Sequence, residues 1–269
     1  MKQIIKASAV IFSAIALASS AVIPAHGATG SLVIIDSYFD SRSGVTVACS
    51  PAATSCGIQS KPLSTSMTHS YNHGVAMAEL AKSKYPSLNV IGLQSANASS
   101  TVNVAQLISS LEWVVANKSG VSAVSISLRM NSPQNSSTVC LPAATGTANI
   151  GGVAGADQKV RSLIAALSSS GVKVFAAAGN GKGNVVDYPA CILETESVST
   201  GLQNASGVTV SKDKFDNNTD YFVSIANGKS NFISKNFNLV ANTSSTATVI
   251  AAAKWAAENS LTKFVSVLP

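Results

Sequence analysis

The chain has 269 residues and a formal net charge of +6, with 46% hydrophobic but only 11% charged residues. Soluble proteins ordinarily carry about 25% charged residues, and here Ser, Thr, Asn, Gly and Ala take up the difference. The low charge excludes a coiled coil and a charge-driven disordered chain, and beyond the N-terminus no uninterrupted apolar run approaches the ~20 residues of a membrane span, which excludes an integral membrane protein.

Residues 1–27 read as a secretory signal peptide. Lys2 and Lys6 form a basic start, Ala7 to Val22 an apolar stretch, and Ala25-His26-Gly27 after Pro24 a small-x-small cleavage pattern. The expected compartment is therefore extracellular or periplasmic, with no membrane attachment after signal removal. Loss of the two signal lysines lowers the formal charge from +6 to +4. No Lys/Arg cluster is interleaved with aromatic residues, so nucleic acid is not an expected partner.

The four cysteines, Cys49, Cys56, Cys140 and Cys191, are an even number in an exported chain, which favours disulfides. Of the three possible pairings we expect Cys49–Cys56 and Cys140–Cys191, because 49 and 56 share one Ser/Pro/Ala-rich loop. A zinc site is the alternative. It lacks a C-x-x-C, and the histidines are not spaced with the cysteines.

Ser31 to Asp36 is a β-branched run ending in an acid and reads as a buried strand. Residues 40–68 read as loop, and His73 to Lys84 as a helix. Asn89 to Gly92 is a second strand. Val104, Leu107, Ile108, Leu111, Val114 and Val115 keep a 3.6-residue period, so 103–117 is an amphipathic helix. A strand follows at Ser122 to Leu128. The helix containing Val160, Leu163, Ile164 and Leu167 stops at Gly171, and Val172 to Ala178 is the next strand. From 195 to 240, turn signals such as Asn227-Gly228 suggest short antiparallel strands. Ser244 to Asn259 is a last helix, apolar nearly all round and hence buried. The expected class is α/β: one mostly parallel twisted sheet with helices on both faces, and short antiparallel strands toward the C-terminal part.

Functional residues of such sheets collect at the carboxyl ends of strands. Asp36 ends the first strand, His73 opens a helix, Asn180 follows the fourth strand, and Ser244 opens the final helix. Singly each is an ordinary turn or cap residue. Together they stand in the order Asp…His…Ser, one of the known orders of the acyl-transfer triad.

The chain resembles the subtilisin-like serine proteases (subtilases). Val33-Ile-Ile-Asp36-Ser37 resembles the family's Asp motif, and Asn72-His73-Gly74-Val75-Ala76 its His motif. Leu107 to Asn117 is similar to a helix common in the family, and Val124 to Leu128 to its substrate-side strand. Val172 to Asn180 resembles the strand carrying the oxyanion Asn. Tyr188-Pro189-Ala190 matches a recurrent tripeptide, and Thr243-Ser244 with the Ala-rich helix resembles the Ser motif. The likeness runs from about residue 31 to 258.

What the resemblance implies is a secreted serine endopeptidase, with 28–269 as the catalytic domain and no propeptide evident. Ser244 would be the nucleophile, His73 the base, Asp36 its orienter and Asn180 the oxyanion donor. Ser127, Leu128 and Arg129 would bind substrate. Peptides or proteins are the expected substrates and a monomer the expected state. No cofactor and no metal are expected, although Asp213, Asp216 and Asp220 lie close enough in sequence to supply one calcium site. His69 would be a decoy. Asn242, Ala76 and Arg129 depart from the family pattern. They motivate the alternative, a catalytically weak or inactive subtilase-fold binding module. The run Gly179-Asn-Gly181-Lys-Gly183 follows a strand but lacks dinucleotide spacing, and Pro189 forbids a long helix after it.

Overall fold

The computed structural model describes residues 30–45, 47–50, 55–56, 72–95, 104–128, 153–180, 186–203, 209–211, 221–224, 243–261 and 264–265. The signal segment, Arg129, Cys140, Asn242 and the Asp213–Asp220 cluster lie outside the described residues.

Four helices are described: α1 His73–Lys84, α2 Val104–Ala116, α3 Ala156–Ser169 and α4 Ser244–Glu258. The strands are β1 Ser31–Asp36, β2 Val47–Ser50, β3 Ser55–Cys56, β4 Val90–Gln94, β5 Val121–Ile126, β6 Lys173–Ala177, β7 Thr195–Gln203, β8 Thr209–Ser211, β9 Tyr221–Ser224 and β10 Phe264–Val265. They form one sheet in the order β10-β9-β7-β6-β5-β1-β4-β2-β3, with β8 paired to β7.

The direction of travel across the sheet explains where the helices lie. From β1 the chain passes through α1 to β4 on one side. It then returns through α2 to β5, on the other side of β1. Right-handed crossovers in opposite directions must use opposite faces. The cores obey this rule. Leu32 and Ile34 of β1 pack with α1 and α4, whereas Val33 and Ile35 pack with α2 and α3. Period-2 alternation makes this split automatic, and a continuous β-branched run is what a strand covered on both faces requires. Phe175 of β6 joins the α1/α4 face, and Val174 and Ala176 the other.

In α2, Val104, Leu107, Leu111 and Val114 are buried. In α4, Ala247, Ala251, Ala252 and Ala253 are buried almost completely. Small side chains there let the helix axis approach the sheet closely, which explains a buried helix with a weak apolar stripe.

Two expectations are corrected. The segment 40–68 contains β2 and β3. β2 joins β4 in parallel, and β3 turns back on β2 with Cys49 opposite Cys56. The β-branched Val45-Thr46-Val47 carried that signal, masked by the Ser and Pro around it. After residue 195, β9 runs parallel to β7 and β10 parallel to β9, while β8 pairs antiparallel to β7. Turn signals alone could not separate hairpins from crossovers.

Leu107 is fully buried, so Leu107→Ala should lower unfolding free energy by about 2–5 kcal/mol. Glu112, whose ion pair with Lys159 is half exposed, should lose at most about 1 kcal/mol as Glu112→Ala. Urea unfolding of the two variants checks both values.

Candidate active site

The site is built at the carboxyl edge of the central strands. The alternation that sends Leu32 and Ile34 toward α1 and α4 sends Asp36 the same way. Asp36 is fully buried. Its Oδ1 accepts from the Ser37 backbone N–H at 2.6 Å, and its carboxylate meets His73 Nδ1 at 2.8 and 3.0 Å. That contact places the proton on Nδ1 and leaves Nε2 as the available base. Burial disfavours the imidazolium, but the charge of Asp36 and its hydrogen bond outweigh that effect. The His73 pKa therefore stands above its ordinary 6.5.

Several groups hold the start of α1 in this place. Asn72 offers the helix no side-chain cap. Instead the Ser37 hydroxyl accepts from the Gly74 backbone N–H at 3.1 Å, so neighbouring residues of one strand end grip His73 and Gly74. On the other side, Arg42 Nη2 donates to Asn72 Oδ1 at 2.7 Å and to the buried Asp40 at 2.5 Å. Gly74 permits the close approach: a Cβ there would lie 2.5 Å from the Tyr38 carbonyl oxygen and 3.2 Å from Asp36 Cβ.

Ser244 is the first residue of α4. Thr243 and Thr246 close a reciprocal capping box, which fixes the helix start without a carboxylate. After β6 the chain turns at Gly179, with φ of +110°, a value that side chains disfavour. That turn brings Asn180 to Ser244. Asn180 Oδ1 accepts from both the backbone N–H and the hydroxyl of Ser244, each at 2.8 Å, and Gly179 N–H donates to Ser244 Oγ at 3.2 Å. One carbonyl oxygen accepts from two donors, which sets the resting orientation of the amide. Among the described residues Ser244 Oγ makes no hydrogen bond to His73.

Beside Ser244 lies a cavity of about 300 Å³. Its wall includes Ser127 and Leu128 beyond β5, Ala177 at the end of β6, Gly179 just after it, and Asp187. Ser127 Oγ donates to the Ser245 carbonyl at 3.2 Å, tying the β5 end to the α4 start.

With this geometry in place, the chain can be set against solved structures. A cold-adapted subtilisin-like serine proteinase superposes with a TM-score of 0.56 at 20% identity, over 84% of this chain and 73% of that one. A lanthipeptide protease gives 0.58 at 14% identity, over 85% and 73%. The prenylagaramide maturation protease PagA gives 0.55 at 16% identity, over 86% and 75%. The chain has a subtilisin-like fold. No family model and no curated protein matches its sequence.

The subtilisin-like scaffold brings Asp36 to His73, and Asn180 to Ser244, along one sheet edge. Ser127 and Leu128 line the cavity beside Ser244 and Asn180. Asn180 was expected as a donor but presents its oxygen. The supporting residues Ser37, Asp40 and Arg42 were not anticipated, nor was Asp187. Arg42 sits two residues from Asp40, a local ion-pair spacing that could have been noticed. Ser37 carried no signal of its own.

Gly74→Ala should cost about 1–3 kcal/mol, through the forced contact with the Tyr38 carbonyl. A thermal melt of the variant beside wild type measures this.

Proposed function

We propose that this chain is an exported serine endopeptidase. The observation that carries the reading is the contact of the buried Asp36 carboxylate with His73, on the same sheet edge as Ser244 and its cavity. A serine hydroxyl is a weak nucleophile until a base takes its proton. In the proposed reaction Ser244 Oγ turns about χ1 from Asn180 toward His73 Nε2. It attacks the peptide carbonyl carbon as its proton passes to His73, and His73 returns that proton to the leaving amine. Asp36 holds the imidazole and stabilises its cationic form. Water then attacks the acyl-enzyme by the same proton path. The Asn180 amide turns over, so that its NH₂ and the Ser244 N–H face the oxyanion. The start of α4 adds the positive end of its dipole.

The fold neighbours are proteases, which supports peptides or proteins as substrates. The signal segment supports export, and we propose a monomer. We retain the pairings Cys49–Cys56 and Cys140–Cys191. Directly opposed antiparallel residues have Cα atoms about 4.5–5.5 Å apart, within disulfide range, and Cys49 and Cys56 are such a pair. Cys191 is not a free thiol.

One observation favours the second reading, a weakly active or inactive binding module: the Ser244 hydroxyl is engaged by Asn180 rather than by His73. A fluorophosphonate probe decides between them. Labelling of wild type but not of Ser244→Ala supports the peptidase; equal labelling of both, or of neither, supports the binding module. On a cleaved peptide, Asn180→Ala should lower kcat by about 10²–10³.

The pH dependence follows from His73. Only the neutral imidazole can accept the proton, and its pKa is raised. Activity should therefore rise with pH and reach half its plateau above pH 6.5. A kcat/KM profile with its acidic midpoint below 6.5 would contradict the Asp36–His73 assignment.

A further inference from the structure

We propose that Asp187 makes the cavity beside Ser244 a site for a basic side chain, so that the enzyme cleaves after lysine or arginine. This rests on the peptidase reading and names its substrate class.

Asp187 is the ionisable residue in the described wall of the cavity, and it is 5% exposed. Its backbone N–H donates to the Ala178 carbonyl at 2.9 Å, which ties it to the chain just before the Gly179 turn. The buried Tyr188 follows it. The carboxylate is therefore carried on a fixed wall rather than on a free loop tip.

Among the described residues the rest of the wall is neutral. Leu128 and Ala177 offer apolar surface, while Ser127 and Gly179 add little bulk. Lysine and arginine match this composition, with an apolar stem for the wall and a charged head for the carboxylate. A carboxylate has about four acceptor sites, so Asp187 can keep its existing interactions and still receive a cation. An apolar side chain would dehydrate the carboxylate without replacing the lost water contacts. An acidic side chain would meet like charge.

The test uses matched fluorogenic peptides that place Lys, acetyl-Lys, Leu or Glu on the acyl side of the scissile bond. They are assayed with wild type and with Asp187→Asn. The same peptides are bound to Ser244→Ala by calorimetry. Wild type should prefer Lys to acetyl-Lys by about tenfold or more, as a charge-assisted hydrogen bond implies. That ratio should collapse toward one in Asp187→Asn. Equal cleavage of Lys and acetyl-Lys peptides by wild type overturns the proposal and leaves the peptidase intact. So does an unchanged ratio in a folded Asp187→Asn. Should that variant not melt cooperatively, the acetyl-Lys comparison on wild type decides by itself. Should wild type cleave no peptide, the peptidase reading fails and the binding series decides. Tighter binding of the Lys peptide then upholds the cation site, and equal binding removes it.

Discussion

The carboxylate of Asp36 has no exposure to solvent, and everything around it follows from that constraint. A buried carboxylate is tolerable only when its oxygens are hydrogen-bonded. At the end of β1 the partners available are the next backbone N–H and the first side chain of α1. Satisfying Asp36 thus fixes where α1 begins, which nitrogen of His73 is protonated, and which one is left as a base. The neighbouring Ser37 hydroxyl, the Arg42–Asp40 pair and the missing side chain of Gly74 all serve the same placement. Ser37, Asp40 and Arg42 lie more than thirty positions before His73, so they act through tertiary structure rather than local structure.

The second half of the site is assembled differently. Ser244 is placed by a helix whose start is closed by Thr243 and Thr246, and whose alanines let it lie close to the sheet. Asn180 is placed by a left-handed turn after β6. The two halves meet because α1 and α4 cover the same sheet face, a consequence of the direction in which each crossover travels. In the resting arrangement the hydroxyl of Ser244 lies on Asn180, and the proposed reaction turns both that hydroxyl and the Asn180 amide. Rotamer changes of this kind are small compared with the packing that fixes both backbones.

Much of this was legible in the residues because it rests on periodicity and on strand ends. The face of α2 follows from its hydrophobic spacing, and the buried β1 strand from an unbroken β-branched run. Asp36, His73, Asn180 and Ser244 were legible because they stand at strand ends and helix starts in a chemically meaningful order. What was not legible depends on register and three-dimensional approach. β2 was hidden because a strand of four residues in Ser- and Pro-rich sequence has too little pattern to show. Parallel pairing of β9 could not be told from a hairpin. The grip of Ser37 on Gly74 spans 37 positions, and the cavity wall formed by Asp187 exists only once β6 and its following turn are in place.

In the proposed reaction Ser244, Asn180 and the Asp36–His73 pair act on one carbonyl group. The most direct measurement is a crystal structure of the chain after reaction with a peptidyl phosphonate. The proposed mechanism requires phosphorus bonded to Ser244 Oγ, with the phosphonyl oxygen about 2.7–3.1 Å from both Asn180 Nδ2 and the Ser244 backbone nitrogen. The His73–Asp36 contact should be retained. An adduct on any other residue, or a phosphonyl oxygen directed away from Asn180, would contradict it.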